Sequence, residues 1–234
     1  MILEVNDLHT FYGTSHILFG VSLGVAQGET VCLLGRNGAG KTTTLRSIMG
    51  LTRPASGSIT YHGREVVGKP PYAIAKLGIG YVPDDRGIFA DLTVQENLEV
   101  AETRRGGGSG AWTLERLYSE FPTLRGLRTR RGEHLSGGEQ RLLSVGRALL
   151  TNPRFLLFDE PAEGLSPLVV RAVRDWILRL KGSGISILLS EQNVRFALEV
   201  SDRAYVIDKG VIRHQGSVEE LKANDEIRKR YLMV

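Results

Sequence analysis

Eight residues from Gly35 to Thr42 match the pattern G-x-x-x-x-G-K-[ST] without a gap. Glycines in such a loop let successive backbone N–H groups face one concavity, which suits the oxygens of a phosphate. Lys41 would bring a positive charge to the β- and γ-phosphates and is also a catalytic candidate, while the Thr42 hydroxyl could bind Mg²⁺. The residues predicted to contact a nucleotide here are Gly35, Arg36, Asn37, Gly38, Ala39, Gly40, Lys41, Thr42 and Thr43. The alternative is a glycine-rich turn with a purely structural role.

Two adjacent carboxylates, Asp159 and Glu160, follow an apolar run at residues 155–158 that predicts a buried strand. Ligand sites in open α/β sheets lie at the carboxyl ends of the strands, where these two acids emerge. Asp159 could bind the water shell of a metal ion, and Glu160 could hold and polarise an attacking water as a catalytic residue. The alternative is a pair of solvated acids at a strand end.

A second glycine-rich segment, Leu135 to Gln140, precedes a strongly helical pattern. Ser136 and Glu139 have the spacing of a capping box, so one interpretation is simply a well-capped helix. Glycine weakens a first helical turn, however, so Gly137 and Gly138 favour a close backbone approach, and a helix N-terminus favours an anion. Ser136, Gly137, Gly138 and Glu139 are therefore predicted to contact nucleotide.

The segments beside these motifs predict the elements that must position them. Residues 30–34 form an apolar run that indicates a buried strand before the first loop. Residues 43–49 predict a helix after it, which ends at Gly50, a residue type favoured after helices. Residues 185–189 predict a further core strand, directly before Ser190 to Asn193.

The rest of the chain predicts one domain, residues 1–234, with three parts. Period-two alternation predicts a small antiparallel β subdomain from residues 1–30 and 57–67. A helical subdomain is expected at roughly 88–147, with a flexible surface loop at 104–110 inside it. The tail, roughly residues 217–234, predicts two short helices, at 218–222 and 226–232. The expected fold is α/β with a mainly parallel sheet in its core.

Taken together, the three motifs resemble those of ABC-type ATPases, and the resemblance covers the whole chain. It implies a P-loop NTPase core that hydrolyses ATP with Mg²⁺ as cofactor. It also implies a head-to-tail dimer, in which the segment Leu135 to Gln140 of one subunit covers the γ-phosphate held by the Gly35–Thr42 loop of the other. The phosphate-binding loop alone would indicate only a nucleoside triphosphatase. The second glycine-rich segment argues against a kinase or a GTPase.

Three further site residues come from the resemblance. Tyr12 lies where the family keeps an aromatic residue that stacks on adenine, although it could instead be a core tyrosine, and Phe11 is a weaker candidate. Asp84 stands where most members have glutamine; it is either a ligand of Mg²⁺ or its waters, or only a loop acid. Gln192 stands where the family usually has histidine, and its amide can donate a hydrogen bond but cannot titrate, which favours a positioning role in catalysis. Ser166 also departs from the usual aspartate of the interface loop.

Within the family, several strings resemble the ATPase subunits of bacterial importers for branched-chain amino acids, urea and short amides. The strings are residues 34–44, 49–51, 159–165, 191–193 and 227–232. This resemblance implies a homodimer or a heterodimer with a second ATPase, a pair of transmembrane permease subunits and, indirectly, a periplasmic solute-binding protein. It implies a cytoplasmic location on the inner face of the plasma membrane.

The permease contact is expected at residues 84–99, where Phe89, Leu92 and Val94 offer apolar anchors or belong to the subdomain core. An exporter of lipid-linked cargo is a close alternative. An ABC ATPase that acts on nucleic acid is disfavoured, because the chain has neither a long coiled-coil insertion nor a second ATPase domain, and no nucleic-acid partner is expected.

Composition agrees with a soluble intracellular enzyme. The chain has 234 residues, of which 41% are hydrophobic, and a net charge of +4. Its apolar runs are too short to span a bilayer, and no signal sequence precedes the first strand. The single cysteine, Cys32, is expected in a core strand, and the five histidines lack metal-ligand spacing. The densest basic run, which reads as a solvated face, comprises Arg125, Arg128, Arg130 and Arg131.

Overall fold

The computed structural model describes residues 1–102 and 111–223 of the chain. The strands in these ranges are β1 Leu3–Tyr12, β2 Ser15–Val25, β3 Thr30–Leu34, β4 Ser56–Tyr61, β5 Arg64–Glu65, β6 Ile79–Val82, β7 Phe155–Asp159, β8 Ser186–Glu191, β9 Arg203–Asp208 and β10 Val211–Ser217. The α-helices are α1 Lys41–Ile48, α2 Pro71–Ala75, α3 Val94–Ala101, α4 Leu114–Glu120, α5 Pro122–Gly126, α6 Gly137–Leu150, α7 Pro167–Gly182, α8 Val194–Val200 and α9 Val218–Ala223. A short 3₁₀ turn at Gly132–His134 precedes α6.

The strands form two sheets. The central sheet has six strands in the order β10-β9-β3-β8-β7-β6, and β10 alone runs antiparallel to its neighbour. The second sheet is antiparallel, with the order β2-β1-β4-β5. The prediction of a mainly parallel α/β core beside a small antiparallel sheet is therefore confirmed.

The central strands are buried on both faces, and their side chains alternate between two cores. In β3, Val31 and Leu33 pack into the core below the antiparallel sheet and α1, whereas Cys32 and Leu34 pack into the core shared with α6 to α8. The same alternation places Leu157 in the first core and Phe158 in the second. This pattern explains why the strands read as continuous apolar runs, as expected for parallel strands covered on both faces. Cys32 is a free, buried thiol, as predicted.

Helix α1 begins at Lys41, two residues earlier than the sequence pattern indicated, and its last residue is Ile48. Its apolar face is buried as predicted, since Leu45 and Ile48 are inaccessible and Met49 nearly so. Gly50 follows in a left-handed conformation with φ of +73°, the usual geometry after a helix.

The region predicted to be helical contains α3, α4, α5 and most of α6. Leu98, Leu117, Leu124 and Leu142 belong to the same core as the sheet face above them. Val94 is fully buried there. Of the two alternatives for this residue, the permease anchor is therefore wrong and the subdomain core is correct. Phe89 is exposed. The boundaries of the subdomains stay a prediction.

Some predictions concern parts of the chain outside the described residues. The surface loop at 104–110 and the second tail helix at 226–232 are among them, whereas α9 matches the first tail helix. No helix within residues 1–102 or 111–223 is both long and apolar enough to cross a lipid bilayer.

Candidate active site

The phosphate-binding loop joins β3 to α1, as the sequence predicted. Gly40 is the N-cap residue of α1 and has φ of +107°, a left-handed backbone that strongly favours glycine. A Cβ atom on Gly40 would also come within 2.8 Å of the Leu18 side chain. Arg36, Asn37 and Gly38 form the exposed mouth of the loop, whereas Gly35 and Ala39 are buried. Gly38 and the first three residues of α1 line a cavity, and a phosphate bound there would meet the positive end of the helix dipole.

Lys41 is buried with its ammonium held inside the loop. Nζ donates to the carbonyls of Gly35 at 2.9 Å and Arg36 at 3.1 Å. It also lies 3.0 Å from Oε1 of Glu160, so the lysine of the phosphate-binding loop and the predicted catalytic acid form an ion pair. The fold by itself thus brings Lys41 and Glu160 into contact.

Asp159 is completely buried at the carboxyl end of β7 and accepts three hydroxyl hydrogen bonds. Oδ1 accepts from Thr42 Oγ1 at 3.0 Å and from Ser190 Oγ at 2.6 Å, and Oδ2 accepts from the Tyr81 hydroxyl at 3.0 Å. Burial raises the pKa of Asp159, and the three hydroxyl donors partly offset this rise.

The adjacent oxygens of Thr42 and Asp159 are the hard donors that Mg²⁺ prefers. Within the described part of the chain no three acidic, histidine or cysteine side chains converge on a metal position. Phosphate oxygens and water would therefore have to complete the coordination of an ion bound here.

Glu160 follows Asp159 and adopts φ of +46°, a conformation that is uncommon for a residue with a Cβ atom. Its backbone N–H donates to Ser190 Oγ at 3.0 Å, which helps to fix this conformation. Burial opposes the charge on its carboxylate, but hydrogen bonds from Glu163 and Lys41, together with the charges of Lys41 and Arg141, outweigh burial and lower its pKa. These contacts favour the ionised form of Glu160, which is the form that can orient a water molecule.

The pKa of Glu163 is raised to about 7, chiefly because its carboxyl hydrogen-bonds the Glu160 carboxylate, with burial and the Glu160 charge adding to the effect. Two carboxyl groups in this arrangement share a proton, because both cannot be ionised at such short range without repulsion. The site therefore contains a proton that is lost near neutral pH.

Gln192 and Glu160 face the same cavity. This cavity, of ≈ 330 Å³, is lined by Glu160, Ala162, Glu163, Glu191, Gln192 and Asn193. The Gln192 side chain is exposed at its edge. Its amide is therefore free to contact a ligand that enters beside Glu160, and the positioning role stays a prediction.

Asp84 is exposed at the edge of the site rather than within it. Its Oδ1 accepts from the backbone N–H of Asp85 at 2.9 Å. It is near enough to raise the pKa values of Asp159 and Glu163 electrostatically. Both alternatives for Asp84, a ligand of the ion's water shell and a loop acid, remain compatible with this placement.

Tyr12 lies beside the phosphate-binding loop, at the end of β1. Its side chain is 46% exposed, so the alternative of a core tyrosine is wrong. A cavity of ≈ 230 Å³ is lined by Tyr12, Ile17, Gly38, Gly40, Lys41, Thr42, Thr43 and Glu160. Phe11 instead stacks on His16, with ring centroids 4.0 Å apart and planes inclined by 9°. The geometry thus favours Tyr12 over Phe11 as the surface for a planar base.

The second glycine-rich segment begins α6 with the predicted capping box. Ser136 Oγ accepts from the N–H of Glu139, and Glu139 Oε2 accepts from the N–H of Ser136 at 2.7 Å. A Cβ atom on Gly138 would lie within 2.8 Å of the Val169 side chain, so this glycine is needed for packing against α7 within the same chain. Close approach of a ligand is therefore not the only reason for glycine here.

Among the described residues, Ser136, Gly137, Gly138 and Glu139 line neither of the two cavities beside the phosphate-binding loop. Within one chain this segment therefore lies outside both cavities. That position is compatible with a role in the site of a second subunit.

The sequence motifs did not identify four residues around the site, namely Tyr81, Arg141, Ser190 and Glu191. Ser190 and Glu191 directly follow the core strand predicted at residues 185–189, so their position at a carboxyl strand end was a usable signal. Arg141 is buried and donates to the carbonyls of Pro83 and Glu160, at 2.7 and 3.1 Å, but no local pattern indicated this.

The family model described as ABC transporter matches residues 18–163, more than half of the chain. The chain belongs to the ABC transporter ATPases. This ABC ATPase is 38% identical to the high-affinity branched-chain amino acid transport ATP-binding protein BraG of Pseudomonas aeruginosa, with 99% of each chain covered. It is 37% identical to the lipopolysaccharide export system ATP-binding protein LptB of Haemophilus influenzae, covering 99% of this chain and 97% of LptB. A nucleotide-free ATP-binding cassette from an ABC transporter superposes with a TM-score of 0.83 at 26% identity, with 100% and 98% of the two chains covered.

This ABC ATPase is therefore the ATP-binding subunit of a transporter, and it hydrolyses ATP in a reaction coupled to transport. Cassettes of this family dimerise and work with transmembrane permeases. The nearly equal identities to BraG and LptB leave the direction of transport undecided by similarity.

Proposed function

We propose that this ABC ATPase powers a bacterial importer for branched-chain amino acids or for related small polar or amide solutes. The observation that carries the proposal is Gln192, which borders the cavity of Glu160 where most of the family has histidine. Glutamine at this position, together with an acid at Asp84, is typical of the importer branch that the sequence resembles. The full-length similarity to BraG, whose name describes branched-chain amino acid transport, supports the same branch.

The proposed roles at the hydrolysis site follow from the contacts described above. The phosphate-binding loop and Lys41 hold the β- and γ-phosphates of ATP, and Tyr12 stacks on the adenine. Glu160 orients the attacking water, and Gln192 donates a hydrogen bond beside it. Thr42 and Asp159 would hold Mg²⁺, which neutralises charge on the phosphate oxygens when bound. Lys41 must exchange its contact with Glu160 for the phosphates when ATP enters.

The proposal includes a head-to-tail dimer. Gly137 and Gly138 open the first turn of α6, where N–H groups have no acceptor within the helix. Ser136, Gly137 and Gly138 would contact the γ-phosphate held by the partner subunit, and Glu139 would keep the turn in place through its capping box. Closure is favoured by ATP because this contact exists only in the closed state, and loss of the γ-phosphate allows reopening.

The permease is proposed to dock in a groove of ≈ 410 Å³ between α2, α3 and α6. Its apolar lining includes Leu51, Pro71, Ala75, Val100 and Ala148, and its charged lining is Arg86 and Arg147. The Arg147 guanidinium lies 4.4 Å from the ring centroid of the exposed Phe89. An apolar surface with two cations suits a short amphipathic cytoplasmic segment of the permease that carries acidic side chains.

Docking on a permease would hold the ATPase at the inner face of the plasma membrane, and a periplasmic solute-binding protein would deliver the cargo. The second ATPase of the dimer is either another copy of this chain or a distinct cassette. Because the cargo would not contact this polypeptide, its identity must come from the assembled transporter.

The decisive experiment isolates the complex from the native membrane through a tag on this chain and reconstitutes it in liposomes. A solute-binding protein and permease should co-purify, and leucine or a small amide with that binding protein should raise ATP hydrolysis. The matched control is the same complex with Glu160→Gln, which should not respond. A complex that instead contains a lipid-exporting permease, stimulated by lipopolysaccharide or another lipid-linked glycan, would contradict import.

Export is the second candidate because the similarity to LptB, whose name describes lipopolysaccharide export, is almost equal to that to BraG. The two candidates share every proposed step at the ATP site. The reconstitution above distinguishes them by the permease recovered and the stimulating solute.

A further inference from the structure

Glu191 is a buried carboxylate at the end of β8. None of the roles proposed above involves this residue. Glu191 is only 2% exposed. An ionisable group is rarely buried this deeply unless specific partners compensate for the loss of water. The partners of Glu191 therefore indicate what the carboxylate holds.

The Glu191 carboxylate accepts hydrogen bonds from two separate loops. Oε1 accepts from the backbone N–H of Ala162 at 2.9 Å. Oε2 accepts from the backbone N–H groups of Gln192 and Asn193, both at 3.1 Å. In addition, its backbone carbonyl accepts from the N–H of Gly35 at 3.1 Å, at the start of the phosphate-binding loop. One residue thus joins three loops of the active site through backbone contacts.

The loops joined by the carboxylate carry the two side chains proposed to act on water. Ala162 lies two residues after Glu160, and Gln192 follows Glu191 directly. Glu160 itself is held in a left-handed conformation by its N–H bond to Ser190 Oγ. Glu160, Glu191 and Gln192 line one cavity of ≈ 330 Å³. A rigid carboxylate between the loops fixes the distance across this cavity.

We propose that Glu191 is a positioning residue for ATP hydrolysis: it holds the loop after Glu160 and the loop bearing Gln192 at one separation, so that both side chains address the same water. This inference rests on the proposed roles of Glu160 and Gln192. Small errors in the placement of reacting groups lower rates strongly, even when substrate binding is intact. Glu191 therefore affects the rate of hydrolysis rather than the binding of ATP.

The first test replaces Glu191 by Gln and by Ala in the transporter complex. Glu191→Gln has the same shape, but its amide nitrogen cannot accept an N–H, so one loop loses its acceptor. We expect kcat to fall by about tenfold or more while the KM for ATP changes by less than about threefold. A normal kcat in a folded Glu191→Gln variant, or a loss of ATP binding equal to the loss of rate, overturns the proposal.

Glu29→Gln is the matched control. Glu29 also accepts a backbone N–H, from Ala26 at 2.7 Å, and pairs with Arg203, but it precedes β3 at the end of the strand opposite the phosphate-binding loop. This variant should lower thermal stability and leave kcat unchanged. If both glutamine variants lower kcat in proportion to their loss of thermal stability, Glu191 has no positioning role.

The second test is a double-mutant cycle with Gln192→Ala. If Glu191 acts through the loop of Gln192, removing the Gln192 amide should lower kcat less in the Glu191→Gln background than in the wild type. Losses of kcat that are additive in the double variant overturn the proposal. A failure of both Glu191 variants to fold also overturns it, because the carboxylate is then needed for stability. A wild-type complex that binds but does not hydrolyse ATP contradicts the proposed function instead, which separates the two failures.

Discussion

The Nζ atom of Lys41 lies 3.0 Å from Oε1 of Glu160, although the two residues come from different motifs, one at the start of α1 and the other directly after β7. We propose that the lysine binds phosphate and the glutamate binds water, and on those roles their contact marks where the γ-phosphate and its attacking water would meet. On the proposed roles, ATP would exchange this internal ion pair for phosphate contacts. Two loop carbonyls, those of Gly35 and Arg36, also accept hydrogen bonds from the Lys41 ammonium.

Replacement of Glu160 by Gln should abolish turnover while ATP binding is kept. We expect kcat to fall by about 10²- to 10⁴-fold, since the amide cannot polarise the attacking water. ATP should bind as tightly as in the wild type or a few-fold more tightly, because Lys41 no longer has a competing carboxylate. An ATPase assay and a nucleotide titration measure both effects. Hydrolysis at the normal rate would remove Glu160 from its proposed role.

The same variant loaded with Mg²⁺ and ATP should form a dimer, alone or with a sister ATPase, as measured by light scattering. Ser136→Ala in the same background should weaken that dimer. A strictly monomeric Glu160→Gln variant under both conditions would contradict the shared ATP site.

Tyr12→Ala should weaken ATP binding with little effect on kcat, because the ring is proposed to contact the base and not the phosphates. Stacking contributes about 0.5–1.5 kcal/mol, so we expect the Kd to rise by about two- to tenfold. Tyr12→Phe should restore binding, since the flat face is retained. Phe11→Ala is the control on the neighbouring position, where the ring stacks on His16, and should leave the Kd unchanged. Equal effects of the two alanine variants would mean that Tyr12 acts only through the strand.

Gln192→Ala should slow hydrolysis by about tenfold without a matching rise in KM, as expected when a positioning hydrogen bond is lost. Gln192→His should be tolerated, because an imidazole can donate the same bond. Steady-state kinetics of the reconstituted complex measure both variants. Unchanged turnover in Gln192→Ala would assign this position a structural role.

Glu163→Gln should change how stability depends on pH. The pKa of Glu163 is raised in the folded state from 4.5 to about 7, so the folded chain binds more protons than the unfolded chain between these values. The stability that this proton contributes is fully present below pH 4.5 and is lost as the pH rises through about 7. The variant mimics the protonated form and should therefore gain melting temperature relative to wild type as the pH rises across this window. A constant difference between the two melting curves would show that no proton is shared with Glu160.

Much of the fold was predictable because its determinants are local. Continuous apolar runs indicated the central strands, and period-two alternation indicated the antiparallel sheet. The capping box of α6 was evident from Ser136 and Glu139, and the structure contains both of its hydrogen bonds. The start of α1 was misplaced by two residues, because Lys41 and Thr42 were assigned to the loop although they already have helical geometry. The sequence left open whether Val94 is a permease anchor or part of the subdomain core, because a residue's type does not show which neighbours cover it; the structure buries it completely.

The sequence by itself determined the identities of the chemical groups, because G-x-x-x-x-G-K-[ST], Asp159-Glu160 and Leu135–Gln140 are contiguous strings whose chemistry depends on neighbours in the chain. Only the tertiary structure decided which groups meet. Tyr81, Ser190 and Thr42 come from three segments to surround Asp159, and Glu191 reaches Ala162 across the ends of adjacent strands. Parallel strands bring their carboxyl ends to one edge, but strand order and side-chain packing set each distance there, and neither is written in any local pattern.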